Sequence, residues 1–119
     1  MRYMWVGLGG AIGTVARYAI GLNVDQSHFP WATFGINVSG AFVLGLLLTL
    51  GLGILPIAVL TPIAVGALGG YTTFSTFAWE GFTMSRSGRA GVALIYVAAS
   101  ILGGLLAAWG GYALGRMLR

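Results

Sequence analysis

Cysteine and lysine are both absent from this 119-residue chain, and only Asp25 and Glu80 are acidic. Without cysteine there is no disulfide framework and no thiolate metal site. Charged residues make up 7% of the chain, against about 25% in soluble domains, so the composition is that of an integral membrane protein. The six arginines that set the net charge of +4 are scattered near segment ends rather than gathered on one face. That pattern excludes a nucleic-acid footprint. No Ser/His/Asp set, H-E-x-x-H, G-x-x-x-x-G-K-[ST] or pair of carboxylates occurs, and His28 is a poor metal ligand alone. Catalysis is left without residues to perform it, so the chain is read as a non-enzyme and transport remains.

What is present is apolar. Hydrophobic residues make up 58% of the chain and glycine contributes 21 positions, as expected where membrane helices pack through small side chains. A span needs about 20 apolar residues, and four such runs occur, at about 3–22, 30–53, 57–84 and 90–114. They predict an all-α membrane protein in which residues 1–119 form a single domain of four transmembrane helices. Arg17 interrupts the first run and no small-residue cleavage site follows before Asp25, so this run reads as a helix and not a cleaved signal. The loops fall at 23–29, 54–56 and 85–89.

The third run carries the main anomaly, Gly69-Gly70-Tyr71-Thr72-Thr73-Phe74-Ser75-Thr76-Phe77. Adjacent glycines weaken a helix, and threonine hydroxyls compete for backbone bonds. The third helix is therefore expected to break at Gly69–Thr73, with two half-helices meeting near Thr72. Inside a bilayer such a break must be buried in protein or line a cavity. Polar side chains at that depth are costly and mark function.

Arginine bias sets membrane orientation. Four spans place Arg2, Arg116 and Arg119 on one side, and Arg86, Arg89 and a snorkelling Arg17 on the other. The tie predicts insertion in both orientations, which allows an antiparallel homodimer.

Other polar positions line up on helix faces. Gly9, Gly13, Arg17 and Gly21 recur every fourth residue and predict a close-packing face on the first helix. Arg17 is either a functional cation on that face or a side chain snorkelling to the interface. Thr33, Asn37 and Gly40 share a face of the second helix. Asn37 either hydrogen-bonds a neighbouring helix or lines an aqueous vestibule as an amide donor. Tyr96, Ser100 and then Gly103 or Gly104 form a polar stripe on the fourth. Trp5, Trp31 and Trp79 suit an aromatic belt, whereas Trp109 is expected to pack inside. Glu80, near Arg86, is expected in an interfacial salt bridge or in solvent.

Around the break, Thr72, Thr73, Ser75 and Thr76 offer hydroxyl donors, and Phe74 and Phe77 project from nearly one face. Aromatic edges carry the positive end of the ring quadrupole. Neutral donors without acidic side chains favour a small anion that must enter and leave, while carbonyls bared at a helix break can hold a cation.

This motif resembles the signature of the Fluc (CrcB) family of fluoride channels. Gly10-Ala11-Ile12-Gly13 leading to Arg17-Tyr18, and Asn37-Val38-Ser39-Gly40, extend the likeness over nearly the whole chain. The resemblance implies a fluoride-selective channel in a prokaryotic cell membrane, passively exporting cytoplasmic fluoride to relieve its toxicity. It implies an antiparallel, dual-topology homodimer with two pathways, embedded in membrane lipid. The fluoride pathway would fall on Asn37, Phe74, Phe77, Ser75, Thr76, Tyr96 and Ser100, with Arg17 as a possible vestibule cation. A structural sodium ion at the dimer centre would be held by the backbone carbonyls of Gly69 and Thr72. A further hydroxyl expected one turn beyond Ser100 is missing, because Gly104 stands there. Two rivals are a small proton-coupled multidrug transporter of four spans, which would need an essential membrane-embedded carboxylate, and a non-transporting assembly subunit.

Overall fold

The computed structural model describes all residues, 1–119, as helices joined by short turns, with no strand. Three helices run on without a break: α1 (Arg2–Asn23), α2 (Trp31–Gly51) and α6 (Ala90–Leu118). Between α2 and α6 the chain is assembled from pieces. These are α3 (Ile57–Thr61), a π-helical turn (Pro62–Ala67), α4 (Leu68–Tyr71) and α5 (Phe74–Arg86). Three segments are long and apolar enough to cross a membrane: α2, the composite run Ile57–Arg86, and α6. At 22 residues α1 is about 33 Å long at 1.5 Å per residue, but Arg2, Arg17 and five glycines dilute its apolar character.

Each irregularity in the third segment has a local cause. Pro62 has no N–H to donate and its ring crowds the carbonyl four residues earlier. The chain answers by widening into a π turn. The break lies at Thr72 and Thr73, whose backbones are extended (φ −81°, ψ 158° and φ −151°, ψ 118°). Gly69 and Gly70 remain helical, so the glycines do not themselves interrupt the helix as their propensity suggests. Their small size is used for contact instead.

That contact is between α1 and the stretch from Pro62 to Tyr71. A Cβ on Gly13 would meet the Tyr71 amide nitrogen at 2.7 Å and the Ala67 carbonyl carbon at 2.9 Å. A Cβ on Gly70 would stand 3.0 Å from both Gly10 Cα and Thr14 Oγ1. Gly9 is equally close to the Ala67 amide, at 3.0 Å. The close-packing face is therefore Gly9, Gly10 and Gly13 against Gly66 and Gly70, and it excludes Gly21, where an added Cβ would meet nothing within 4 Å. α2 and α6 pair along most of their length, again through glycine. A Cβ on Gly111 would lie 2.8 Å from the Leu46 amide, and one on Gly115 2.8 Å from Thr49 Cβ.

Arginines tie down both ends of the molecule. Arg119 donates to the carbonyls of Thr49 and Leu52, at 3.3 and 3.2 Å, where α2 leaves its last carbonyls unpaired. At the other end Arg89 donates to the His28 carbonyl, joining two loops. In that first loop the Ser27 N–H donates to Asp25 Oδ1 at 2.9 Å and holds the carboxyl below its ordinary range.

The result is a slab of 49 × 32 × 21 Å, and the short dimension is about two helix diameters. Only 15 of the 119 residues are buried, so most apolar side chains face outward toward lipid or another chain. Trp109 is among them, at 67% exposure, contrary to its expected place in the interior. Trp5, Trp31 and Trp79 are also exposed, as belt residues are.

Candidate functional site

The break at Thr72–Thr73 leaves N–H and C=O groups that a continuous helix would have paired. Asn37 on α2 takes two of them. Its Oδ1 accepts the Thr73 N–H at 2.8 Å, and its Nδ2 donates to the Thr73 carbonyl at 3.0 Å. The amide side chain thus pairs with one residue's backbone as a neighbouring strand would, the interhelical alternative of the two open for Asn37. Thr73 Oγ1 caps α5 by accepting the Thr76 N–H at 3.3 Å, and bonds Thr76 Oγ1 at 3.1 Å. Ser75 is exposed and its hydroxyl lies 3.5 Å from the Thr73 hydroxyl. Across the break, Tyr71 OH meets Ser39 Oγ at 3.0 Å.

Arg17 turns toward the break rather than snorkelling away. Its Nε donates to the Gly70 carbonyl at 3.1 Å, which Thr14 Oγ1 shares at 3.4 Å. A cationic donor is well placed there, because α4 ends at Tyr71 and its last carbonyls carry the negative end of the helix dipole.

Two openings adjoin the break. One is a groove of about 350 Å³ lined by Asn37, Gly40, Gly69, Thr72 and Phe74. The other is a cavity of about 430 Å³ between α1, α2 and the third segment, where Arg17, Thr33, Thr76 and Glu80 meet. Asn37 opens to the first, and Arg17 and Thr76 to the second.

An aromatic series leads away from the break. The Phe74 and Phe77 ring centroids are 5.8 Å apart, and Phe77 lies 5.2 Å from Tyr96. Phe74 is 79% exposed in the single chain, while Tyr96 is fully buried. One turn along α6 from Tyr96, Ser100 Oγ is buried with no hydrogen-bond partner. Buried hydroxyls nearly always find a partner, so this one is free to donate to a visitor. The stripe stops at Gly104, where a Cβ would meet open space.

Glu80 corrects the sequence-based expectation. Rather than pairing with Arg86 or standing free in solvent, it is partly buried and accepts from Thr33 Oγ1 at 2.9 Å and from Tyr96 OH at 2.7 Å. The carboxylate joins α2, α5 and α6 beside the aromatic series. No sequence signal pointed to it, because its partners Thr33 and Tyr96 lie on two other helices. Hydrogen bonds to charged groups contribute about 1.5–3 kcal/mol. Tyr96→Phe, which strips one donor from Glu80, is expected to destabilise the protein by about that amount. Thermal unfolding in detergent measures it, and an unchanged midpoint would mean that the carboxylate is not held by this hydroxyl.

Comparison with known proteins agrees with the geometry. Residues 4–112 match the model of the family described as CrcB-like protein, Camphor Resistance (CrcB). A protein of Acidobacterium capsulatum named fluoride-specific ion channel FluC is 39% identical, with 99% of this chain and 98% of the relative aligned. A Moorella thermoacetica protein named fluoride-specific ion channel FluC 2 is 46% identical over 94% of each chain. FluC of Thermus thermophilus is 44% identical over 98% of this chain and 95% of its own. With a family match over most of its length and relatives aligned nearly end to end, this chain belongs to the CrcB-like family.

Proposed function

We propose that this chain is a fluoride-selective channel that lets the ion leave the cytoplasm passively, down its electrochemical gradient. It is not an enzyme. The observation that carries this reading is the joining of a helix break, an aromatic series and a buried unpartnered hydroxyl within one part of the fold. Fluoride is small and strongly hydrated, and a path that strips its water must replace it with donors. Asn37, Ser75, Thr76 and Ser100 would supply N–H and O–H groups and Phe74 and Phe77 their positive ring edges, while Tyr96, whose hydroxyl hydrogen goes to Glu80, would line the path with its ring. None of these side chains carries a fixed positive charge, so the ion is not trapped. Arg17, beside the wider cavity, would raise the anion's local concentration at the approach without gripping it in the narrow part.

The working unit is an antiparallel homodimer of four-span chains in a prokaryotic inner or plasma membrane. Its support is the slab shape, the small buried fraction, the exposed Phe74 and the arginine tie. Phe74 on one chain alone faces outward, and a second copy would close the path over it. Because the chain has no cysteine, Ser87→Cys introduces a unique label in the loop before α6. A membrane-impermeant maleimide is expected to reach about half of the copies in intact cells, the even split that a tie in arginine bias predicts. All-or-none labelling would contradict dual topology.

A sodium ion at the dimer centre fits the groups present. The groove beside the break is lined by Gly69 and Thr72, whose carbonyls are hard oxygen donors of the kind broken helices offer to sodium. Two carbonyls alone leave a cation poorly coordinated, so the pair from one chain calls for the matching pair from the other, four oxygens in all. Bound there, the ion would neutralise carbonyl dipoles that meet at the interface.

The functional reading is tested with purified protein in fluoride-loaded liposomes, followed with a fluoride electrode. Efflux is expected at equal pH on both sides, and an imposed proton gradient should not drive uphill accumulation. Fluoride movement that followed the proton gradient would favour a coupled carrier, and no flux at all a non-transporting subunit.

A further inference from the structure

We infer that Asn37 and Thr73 are the positioning residues that create the cation site, by capturing the two N–H groups that would otherwise occupy its carbonyls. The inference rests on the sodium site proposed above and deepens it.

In a continuous α-helix the carbonyl of residue i accepts from the N–H of residue i+4. The Gly69 carbonyl would then be taken by the Thr73 N–H, and the Thr72 carbonyl by the Thr76 N–H. Neither bond forms. The Thr73 N–H donates instead to Asn37 Oδ1 at 2.8 Å, and the Thr76 N–H to Thr73 Oγ1 at 3.3 Å. Each carbonyl proposed for sodium is therefore released by one identifiable side chain.

The neighbouring carbonyls receive the opposite treatment. Gly70 is occupied by Arg17 Nε and Thr14 Oγ1, and Thr73 by Asn37 Nδ2. Four side chains thus sort the carbonyls of the break, leaving those of Gly69 and Thr72, residues that line the groove, without their helical partners and pairing those of Gly70 and Thr73 elsewhere. Asn37 contributes to both halves of this sorting. It acts on the cation through Gly69, not by touching the ion, and it stands where the anion path is proposed to begin. One amide would then couple assembly at the dimer axis to the entrance of the pore.

The test reads sodium and not flux. Purified protein in detergent is titrated with sodium chloride against N-methyl-D-glucamine chloride at constant ionic strength, and the thermal midpoint and dimer fraction are followed. The wild type should be stabilised saturably by sodium. Thr73→Val, which keeps the β-branched shape but loses the hydroxyl, should raise the sodium concentration for half-effect at least tenfold. Thr73→Ser, which keeps the hydroxyl, should restore the wild-type value, and Asn37→Ala should weaken the response at least as much as Thr73→Val. Two results overturn the inference. If the wild type responds and the folded variants respond at the same concentration, the sorting role fails while the cation site stands. If the wild type shows no sodium response, the cation site itself fails. Should Asn37→Ala not fold, the Thr73 pair decides alone.

Discussion

Phe74→Ile is expected to bring fluoride flux close to the protein-free background while leaving the fold intact. The two halves of that expectation have separate causes. Phe74 is 79% exposed in the single chain and touches Phe77 at 5.8 Å between centroids, so its removal opens no cavity in the subunit's core. Isoleucine has similar bulk but no quadrupole, and so offers a dehydrated anion no positive edge. Each tenfold in rate corresponds to about 1.4 kcal/mol at the barrier. Flux is expected to fall tenfold or more, which corresponds to a barrier raised by about 1.4 kcal/mol or more. The check is electrode-monitored efflux beside size-exclusion chromatography of the variant. Full flux with the dimer preserved would remove Phe74 from the pathway.

Gly13→Ala is the second change with a large expected effect, and here the fold gives way. The new methyl would run into the Ala67 carbonyl and stand 2.7 Å from the Tyr71 amide, and both are backbone atoms that cannot rotate aside. Overpacking of this kind costs about 1–3 kcal/mol and sometimes more. The third segment would have to lift from α1, carrying Gly70 away from Arg17 and Thr14. Yield of dimeric protein in detergent should fall sharply. Gly21→Ala is the matched control on the same helix face. A methyl there would meet nothing within 4 Å, and alanine is favoured over glycine in a helix by about 1 kcal/mol. Equal losses from the two variants would mean that close contact is not what Gly13 provides.

The contrast between these glycines shows how far the sequence could be read. A repeat every fourth residue identifies a helix face, but not how far along that face a second helix stays in contact. Gly9 and Gly13 lie against the third segment and Gly21 lies beyond it. The break was legible because adjacent glycines and threonines weaken a helix where a bilayer forbids loose backbone. It lies within the expected stretch, at the threonine end and near Thr72, since Gly69 and Gly70 stay helical and the extended residues are the two threonines that follow. Glu80 was the least legible of all. Its partners are 47 residues before it and 16 after it, and no periodicity within one helix connects such positions. Ser100, by contrast, was visible as part of a stripe with Tyr96, because four residues along a helix always bring two side chains to one face.

These features meet in one element. The third segment bares carbonyls on its α4 side and presents phenylalanines on its α5 side, with Asn37 clamped to the residue between them. The central claim is that neutral donors and ring edges around this break pass a small anion once it is dehydrated, and reject a larger one. Its most direct measurement is paired efflux from liposomes holding the purified protein, loaded with equal fluoride and chloride and read with ion-selective electrodes. The account predicts rapid loss of fluoride with chloride retained at the level of empty vesicles. Equal rates for the two ions would contradict it.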